Sequence, residues 1–247
     1  MRGEGPGPRV FLPGDRVRFP PSVHANQSDP IVLGPGLKRV SDEVVVATRP
    51  GVLRRKEPKT FWLDTHVKRY VPVAEDRVIG IVTQRLGEGW KVDIGAADIA
   101  QLGMLSFEGA TKRNRALFRE GTLLYARVKV GLKDMEPEIT CVADDDKARG
   151  LGVLPTESGG ESCMFEIPLS LARKLLSPHY TLLRVLGKAL KFEVSIGLNG
   201  RMWIKAPTVK EVIGISNCLM EAEFSKEADV HGLVEKHINW IKGFASD

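Results

Sequence analysis

A short basic run carries the most distinctive chemistry in this chain of 247 residues. Lys112, Arg113 and Arg115 place three cations within four positions, and Asn114 lies among them as a neutral hydrogen-bond donor. The planar guanidinium of arginine matches phosphate oxygens, and lysine adds a compact charge. Such contacts give affinity for a nucleic-acid backbone without reading its sequence. The run therefore predicts an RNA-binding loop tip, with a solvated loop that only aids solubility as the alternative.

Aromatic side chains near this run could stack on nucleic-acid bases. Trp90 is the preferred exposed candidate because it follows a glycine-rich turn, and Lys91 beside it would add a charge. Phe107 and Tyr125 are further aromatic candidates. For each of these aromatics, a place in a hydrophobic core is the alternative interpretation.

Reactive groups typical of an enzyme are not apparent. The sequence lacks Gly-x-Ser-x-Gly, His-Glu-x-x-His and Cys-x-x-Cys, and its five histidines are scattered. The acidic run Asp144–Asp146 is interpreted as a solvated linker, with a magnesium site as the alternative. We therefore predict a non-catalytic protein without a cofactor or a bound metal. The carboxylate-rich segment Asp134–Asp146 is the only feature that favours a ribonuclease instead.

Composition and charge favour a soluble protein with an acidic partner. The formal net charge is +5, and residues 1–71 hold 13 Lys and Arg against 7 Asp and Glu. Mild basicity of this kind favours a partner such as nucleic acid. The three cysteines have neither metal nor redox spacing, which predicts reduced, buried thiols in an intracellular protein. No apolar run approaches the roughly 18–20 residues that span a membrane, so we expect no membrane association.

The periodicity predicts three modules of mainly β and α+β structure. Residues 1–8 are rich in Gly and Pro and are expected to be disordered, and short strands follow up to residue 71. Among them, Val44–Ala47 and Gly51–Arg54 flank Pro50 and are predicted to form a hairpin, with Phe61–Leu63 as another strand. The first module is therefore a small all-β domain.

Five short β runs in residues 72–150 predict the second module, a closed barrel of the OB type. The runs are Val78–Thr83, Trp90–Ile94, one near Met104–Phe107, Leu123–Val130 and Glu138–Val142. Gly80 inside the first run is typical of the sharp bends that small barrels need.

The third module, residues 151–247, is predicted to be a compact α+β domain. Its expected elements are a helix over Pro168–Ser177, strands over Lys191–Gly197 and Arg201–Ala206, a helix opened by Thr208 and Glu211 in capping-box spacing, and a last helix through Val230 and Ile241. Asn199-Gly200 between the strands predicts a tight hairpin. Gly197–Gly200 also matches the Gly-x-x-Gly loop of KH domains, but that loop lies between helices, so we interpret this one as a structural turn.

Several long segments together resemble the cap subunits of the eukaryotic RNA exosome. The segments are Lys68–Val73, Asp76–Val82, Leu105–Arg115, Lys133–Glu138 and Gly197–Lys205. The resemblance covers about residues 10–245 and implies an N-terminal β domain, an S1-type OB barrel and a C-terminal KH-type domain. It also implies that the Gly-x-Asn-Gly sequence departs from ordinary KH domains, which argues against direct RNA gripping by that module.

The resemblance implies a function as well. Cap subunits lie on a ring of RNase PH-like chains beside other cap subunits, and they guide single-stranded RNA into the central pore for 3′-to-5′ processing and decay. Carried onto this chain, Lys112, Arg113 and Arg115 become the RNA contact, and the basic N-terminal domain docks on the ring. The resemblance also implies a location in the nucleus, including the nucleolus, and in the cytoplasm. The alternative is a free-standing S1-type RNA-binding protein.

Overall fold

Short β-branched runs form seven strands in the described part of the first unit of the computed structural model, residues 1–67. The structure describes residues 10–19, 31–41, 44–57, 59–111, 118–132, 135–156, 160–225 and 229–243. The strands are β1 (Val10–Phe11), β2 (Arg16–Val17), β3 (Val32–Leu33), β4 (Leu37–Arg39), β5 (Val45–Ala47), β6 (Gly51–Lys56) and β7 (Thr60–Asp64). The predicted disordered segment 1–8 lies outside the described residues.

These strands make two small sheets, ordered β1-β6-β7-β3 and β2-β5-β4. Phe11, Val17, Val45 and Leu63 form the core of this unit. The strands predicted on either side of Pro50 exist, but the prediction that they form a hairpin is wrong. Because β5 already pairs with β2 and β4 on its two edges, it has no edge left for β6, which pairs with β1 and β7.

A closed five-stranded barrel opens the second unit, residues 68–247, as predicted. Its strands are β8 (Arg77–Arg85), β9 (Gly89–Asp93), β10 (Ala100–Gly103), β11 (Leu123–Val130) and β12 (Glu138–Thr140), and β13 (Gly152–Val153) adds to β11. The order is β12-β10-β9-β8-β11, and pairing of β12 with β11 closes the barrel. The third strand was predicted near Met104–Phe107, which is wrong, because Ser106 N–H turns back to the Gly103 carbonyl at 3.2 Å.

Two glycines let the barrel strands come unusually close. A Cβ at Gly80 would lie 2.3 Å from Val92 Cγ1, and a Cβ at Gly89 would lie 2.2 Å from the Leu102 carbonyl oxygen. Both distances are shorter than real side chains tolerate, so these positions need glycine. The register between β8 and β9 then shifts between Val82 and Gln84, an irregularity of the kind that bends a strand.

The α+β module packs four described helices on a three-stranded sheet. Its elements are β14 (Glu161–Glu166), α1 (Leu169–Leu176), α2 (Leu182–Ala189), β15 (Glu193–Ile196), β16 (Arg201–Ala206), α3 (Val209–Glu221) and α4 (Val230–Gly243), with the sheet order β14-β16-β15. The predicted capping box is confirmed, since Thr208 Oγ1 accepts from Glu211 N–H while the Glu211 carboxylate accepts from Thr208 N–H. The strand β14 and the helix α2 were not predicted.

Two of the three cysteines are buried as predicted. Burial raises the pKa of Cys141 and of Cys218 to about 12, so both thiols stay protonated at neutral pH. Cys163 contradicts the prediction, since it lies exposed on the edge strand β14.

Candidate nucleic-acid interface

The predicted basic loop belongs to one end of the barrel. At this end β8 finishes at Arg85, β9 begins at Gly89, and the chain between β10 and β11 runs from residue 104 to residue 122. Lys112, Arg113, Asn114 and Arg115 lie outside the described residues, so their contact with RNA stays a prediction. The structure describes how the two ends of their segment are held.

Three aromatic side chains hold both ends of this segment against the barrel. Phe107 precedes the basic run and packs edge-on against Trp90, with ring centroids 6.0 Å apart. Phe118 follows the run and contacts both rings, at 4.9 Å from Trp90 and 4.8 Å from Phe107. Aromatic pairs at such distances and tilted angles attract one another beyond simple burial. The described residues on either side of the basic run are therefore held together at one point of the barrel.

Trp90 is buried, with 1% of its surface exposed, so the prediction that it forms an exposed stacking platform is wrong. It is the second residue of β9 and faces into the barrel, opposite Leu102 on β10. A barrel of five strands leaves an interior that side chains must fill, and the indole ring fills this end of it. Sequence reasoning singled out Trp90 and Phe107 but missed Phe118. The position of Phe118 just after the basic run was the only feature of the sequence that could have indicated its contact with them.

Hydrogen bonds fix the first half of the loop to the segment that follows β12. Ser106 C=O accepts from Cys141 N–H at 3.0 Å, and Glu108 Oε2 accepts from Ala148 N–H at 2.8 Å. The backbone turns at Gly109, whose φ of 68° is in the left-handed region that favours glycine. These contacts orient the chain just before the basic run.

Two other predicted contact residues lie on different faces. Lys91 alternates with the buried Trp90 and Val92 along β9, so its side chain faces outward, on the row shared with Gln84 and Gln101. Its contact with RNA stays a prediction. Tyr125 is half-buried and donates a hydrogen bond to the Ile196 carbonyl at 3.3 Å, and burial raises its pKa. The Tyr125 side chain therefore contacts the α+β module through this hydrogen bond.

Two aspartates of the acidic run Asp144–Asp146 pair with two different arginines. Asp144 bonds Arg127 at 2.8 Å, and Asp145 bonds Arg149 at 2.7 Å. Among the residues the structure describes, no cluster of three or more His, Cys, Asp or Glu could hold a metal ion. Within the same described ranges, no helix is long and apolar enough to cross a membrane.

The Gly-Leu-Asn-Gly turn fastens the α+β module to the barrel. Asn199 is 8% exposed, and its Oδ1 accepts from Ile79 N–H at 3.2 Å while its Nδ2 donates to the Ile79 and Ile94 carbonyls at 2.8 and 2.9 Å. A Cβ at Gly197 would lie 2.8 Å from Ile79 N, so glycine is required for this approach. The motif is a structural turn, as predicted. Within the turn, Gly200 has a φ of 78°, in the left-handed region, and Asn199 does not.

An ion pair lies beside this contact. Arg201 is almost buried, and it donates through Nη1 to the Asp93 carbonyl at 2.6 Å and through Nη2 to the Asp93 carboxylate at 2.7 Å. Desolvation raises the pKa of Asp93, but hydrogen bonds from Arg201 and from Gly95 N–H outweigh it, so the pKa lies below its usual range. A planar guanidinium with two bonds to one residue fixes orientation as well as distance.

The lowered pKa of Asp93 predicts a pH-dependent contribution to stability. A carboxyl with a lowered folded-state pKa stabilises the fold above the unfolded-state value of about 4, and that stabilisation is lost as pH falls through the folded-state value. We expect Asp93→Asn to reduce the free energy of unfolding by about 1–2 kcal/mol at pH 7, discounted for the partial exposure of Asp93, and by much less at pH 3. Urea unfolding of both proteins at the two pH values measures this.

Asp145→Asn is the matched control, because Asp145 also pairs with an arginine but on the surface. It should change stability little at either pH. An equal loss for Asp93→Asn at pH 7 and at pH 3 would contradict the ionic role of Asp93.

Comparisons with known proteins agree with this architecture module by module. Residues 9–66 match the family described as mammalian exosome complex component RRP40, N-terminal; residues 70–152 match the S1 domain of exosome complex component RRP40; and residues 163–210 match a KH domain.

Full-length relatives are also similar. Exosome complex component RRP40 of Homo sapiens is 42% identical over 219 residues, which covers 85% of this chain and 78% of the relative. The Drosophila melanogaster protein of the same name is 39% identical over 221 residues, covering 90% and 92%. A crystal structure provisionally described as an exosome complex RNA-binding protein covers 71% of this chain and 97% of its own at 22% identity, with a TM-score of 0.54. At that identity the similarity concerns the fold alone.

Proposed function

The chain belongs to the RRP40 family of exosome complex components, and we propose that it is a non-catalytic, RNA-binding cap subunit of an RNA exosome. In this role it stabilises a ring of RNase PH-like subunits beside other cap subunits. It guides single-stranded RNA into the central pore for 3′-to-5′ processing and decay.

The anchored base of the basic loop carries this proposal. Phe107 and Phe118 pack on the buried Trp90, so both ends of the segment that carries the cations are held against the barrel. A guide for RNA needs phosphate contacts of this kind, because they hold any sequence and let it slide. Fixed ends reduce the conformational entropy that the loop loses on binding.

The other modules have assembly roles in this proposal. The first unit carries most of the excess positive charge of the chain and docks on the ring. Asn199 and Arg201 join the barrel to the α+β module, so the two enter the assembly together. The same proposal places the protein in the nucleus, including the nucleolus, and in the cytoplasm. Imaging of the tagged chain tests that location.

The native mass of the tagged protein, purified gently from its own cells, tests the assembly. A discrete complex of several hundred kilodaltons that contains RNase PH-like chains is expected. A monomer of 27.2 kDa with its own RNA affinity would instead favour the free-standing S1-type RNA-binding protein. RNA cleavage by the pure chain would overturn the non-catalytic role.

Reversing the three loop charges is expected to weaken RNA engagement by the assembled complex. In the Lys112/Arg113/Arg115→Glu variant, three phosphate contacts become repulsive. For single-stranded RNA, three contacts correspond to a slope of about −2 in a plot of log affinity against log salt concentration. We therefore expect the slope measured for the variant to be shallower than that of the unmodified complex by about 2. Fluorescence anisotropy with an oligouridine, measured from low to moderate salt, reports the slope.

The control variant reverses three exposed cations on the helices of the α+β module, Arg184, Lys210 and Lys242. It changes the net charge equally and should keep the slope of the unmodified complex. Equal slopes for the loop variant and the unmodified complex would show that RNA does not contact the loop.

A further inference from the structure

The strand β14 forms one outer edge of the sheet in the α+β module, whose order is β14-β16-β15. Ile167 N–H bonds the Gly200 carbonyl at 2.7 Å, which continues the pairing of β14 with β16. In an antiparallel pair, the backbone groups of alternate residues point to the partner, so those of Cys163 and Phe165 point to β16. The backbone groups that point outward are those of Ser162, Met164 and Glu166.

This outer edge is open to another chain. Among the residues that the structure describes, none outside the sheet forms a backbone hydrogen bond with the outward groups of β14. Ser162 does contact the chain that precedes β14, but through its side chain, whose Oγ donates to the Thr156 carbonyl at 3.4 Å. Met164 packs against Leu154 through its side chain as well. A strand edge with unpaired backbone groups is a template to which an extended chain can add.

Each end of this edge carries an exposed carboxylate. Glu161 begins β14 and Glu166 ends it, and both are exposed. At a rise of about 3.3 Å per residue, the two lie about 17 Å apart. Arg201 approaches Glu166 only at 3.9 Å, since its two short bonds go to Asp93, and the Glu166 side chain stays 80% exposed. The edge therefore has an uncharged centre between two carboxylates.

The two carboxylates decide which kind of chain fits the edge. RNA is repelled, because its phosphates carry the same charge. A second copy of this chain is disfavoured as well, since antiparallel pairing of two β14 strands about their centre places Glu161 opposite Glu166 of the second copy. Like charges directly opposite one another destabilise a pair of strands. Lys205 lies in register between Ser162 and Glu193, on the sheet face away from Glu161. A basic polypeptide complements this pattern.

We propose that the outer edge of β14 binds an extended basic segment of a protein partner. The segment adds an antiparallel strand through the outward backbone groups of β14. It carries Lys or Arg at two positions five residues apart, opposite Glu161 and Glu166, and aliphatic residues opposite Cys163 and Phe165. Strand addition takes affinity from backbone hydrogen bonds and specificity from the alternate side chains. This inference goes beyond the proposed function and does not depend on the basic loop.

The test uses the full chain labelled with ¹⁵N and the capped octapeptide Thr-Lys-Val-Thr-Val-Thr-Lys-Thr. Its lysines are five positions apart, and in the antiparallel register its valines lie opposite Cys163 and Phe165. Saturable shifts of amide resonances are expected on addition of the peptide. They should be larger for the amides that point outward than for those that point to β16. The outward amides are those of Ser162, Met164 and Glu166.

Alkylation gives a second readout at the same edge. Cys163 is exposed on β14, whereas Cys141 and Cys218 are buried, so iodoacetamide reacts first with Cys163. A strand added to β14 covers this side chain, and the basic peptide should therefore slow its alkylation.

Two control peptides separate the contribution of charge from that of the backbone. Replacing both lysines by glutamate keeps the strand but reverses its charge. N-methylation of the amides of the second, fourth and sixth residues keeps the charge but removes the donors that face β14. Neither control peptide should bind.

The double variant Glu161→Gln/Glu166→Gln should weaken peptide binding about three- to tenfold, through the loss of two cross-strand ion pairs. The matched control Glu193→Gln/Glu235→Gln removes two exposed carboxylates of other elements and should bind like the unmodified chain. All four side chains are exposed, so both variants are expected to fold.

Four outcomes would overturn the proposal. The first is the absence of saturable shifts, which is expected if the carboxylates only keep strand edges apart. The second is equal binding of either control peptide, or of the basic peptide to the Glu161→Gln/Glu166→Gln variant. The third is a shift of the same resonances by oligouridine. The fourth is a shift of these resonances when the protein is concentrated without peptide, which would make a second copy the occupant.

Discussion

Replacing Trp90 by alanine is expected to lower the free energy of unfolding by about 3–5 kcal/mol, the range for a large aromatic residue lost from a core. The indole is 1% exposed and contacts both Phe107 and Phe118. Its removal leaves a cavity at the end of the barrel and frees both ends of the basic loop. Urea unfolding of the full chain measures the loss, and RNA binding of the assembled complex should fall as well.

Two further variants separate the effect of burial from the effect of the indole itself. Trp90→Phe keeps an aromatic ring, and Trp90 Nε1 has no hydrogen-bond partner among the described residues, so a smaller loss of about 1–2 kcal/mol is expected. Trp240→Ala removes a tryptophan that is 42% exposed and should also destabilise much less. If Trp90→Ala reduced RNA binding with unchanged stability, Trp90 would be a stacking platform after all, and its buried position would be contradicted.

Replacing Asn199 by alanine is expected to cost about 3 kcal/mol and to uncouple the barrel from the α+β module. The side chain makes three hydrogen bonds to the backbone of Ile79 and Ile94. Each bond contributes about 1 kcal/mol, and the buried backbone groups left without a partner add to the loss. Asn199→Asp keeps the shape but turns the donor into an acceptor that faces two carbonyl oxygens. At pH 7 it should therefore destabilise at least as much.

Thermal unfolding followed by intrinsic fluorescence should show a broader or divided transition in both Asn199 variants. Asn217→Ala on the exposed face of α3 is the control, and alanine is a good helix former, so stability should be nearly unchanged. Asn199 variants within about 0.5 kcal/mol of the unmodified protein would show that the turn does not join the two modules.

Elements fixed by local interactions were predicted well from the sequence. The capping box of Thr208 and Glu211 involves residues three positions apart, and its hydrogen bonds need only the local backbone. The strands β9 and β11 carry alternating apolar residues, and β8 carries a β-branched run, Val78–Val82; both patterns indicate strands wherever they lie. β10 has only four residues, Ala100–Gly103, so its alternation of buried and exposed residues is too short to stand out in the sequence. α2 was missed because Gly187 interrupts its helical pattern.

Pairing between strands was harder to predict, because it depends on which edges are already taken. The strands around Pro50 have the sequence of a hairpin, yet β5 pairs with β2 and β4. Nothing within residues 44–54 shows that both edges of β5 are occupied. The same limit applies to Cys163, whose exposure follows from the position of β14 at the edge of its sheet.

The sequence by itself determined the three modules, the barrel and the structural nature of the Gly-Leu-Asn-Gly turn, because each depends on residue types and spacings along the chain. The tertiary structure decided which side of each element is buried. It turned Trp90 inward as the anchor of the loop, and it brought Asn199 to Ile79 and Ile94, 120 and 105 positions away. A side chain on a strand can face either way, and only the packing of distant segments against it determines whether it meets solvent, a ligand or the core.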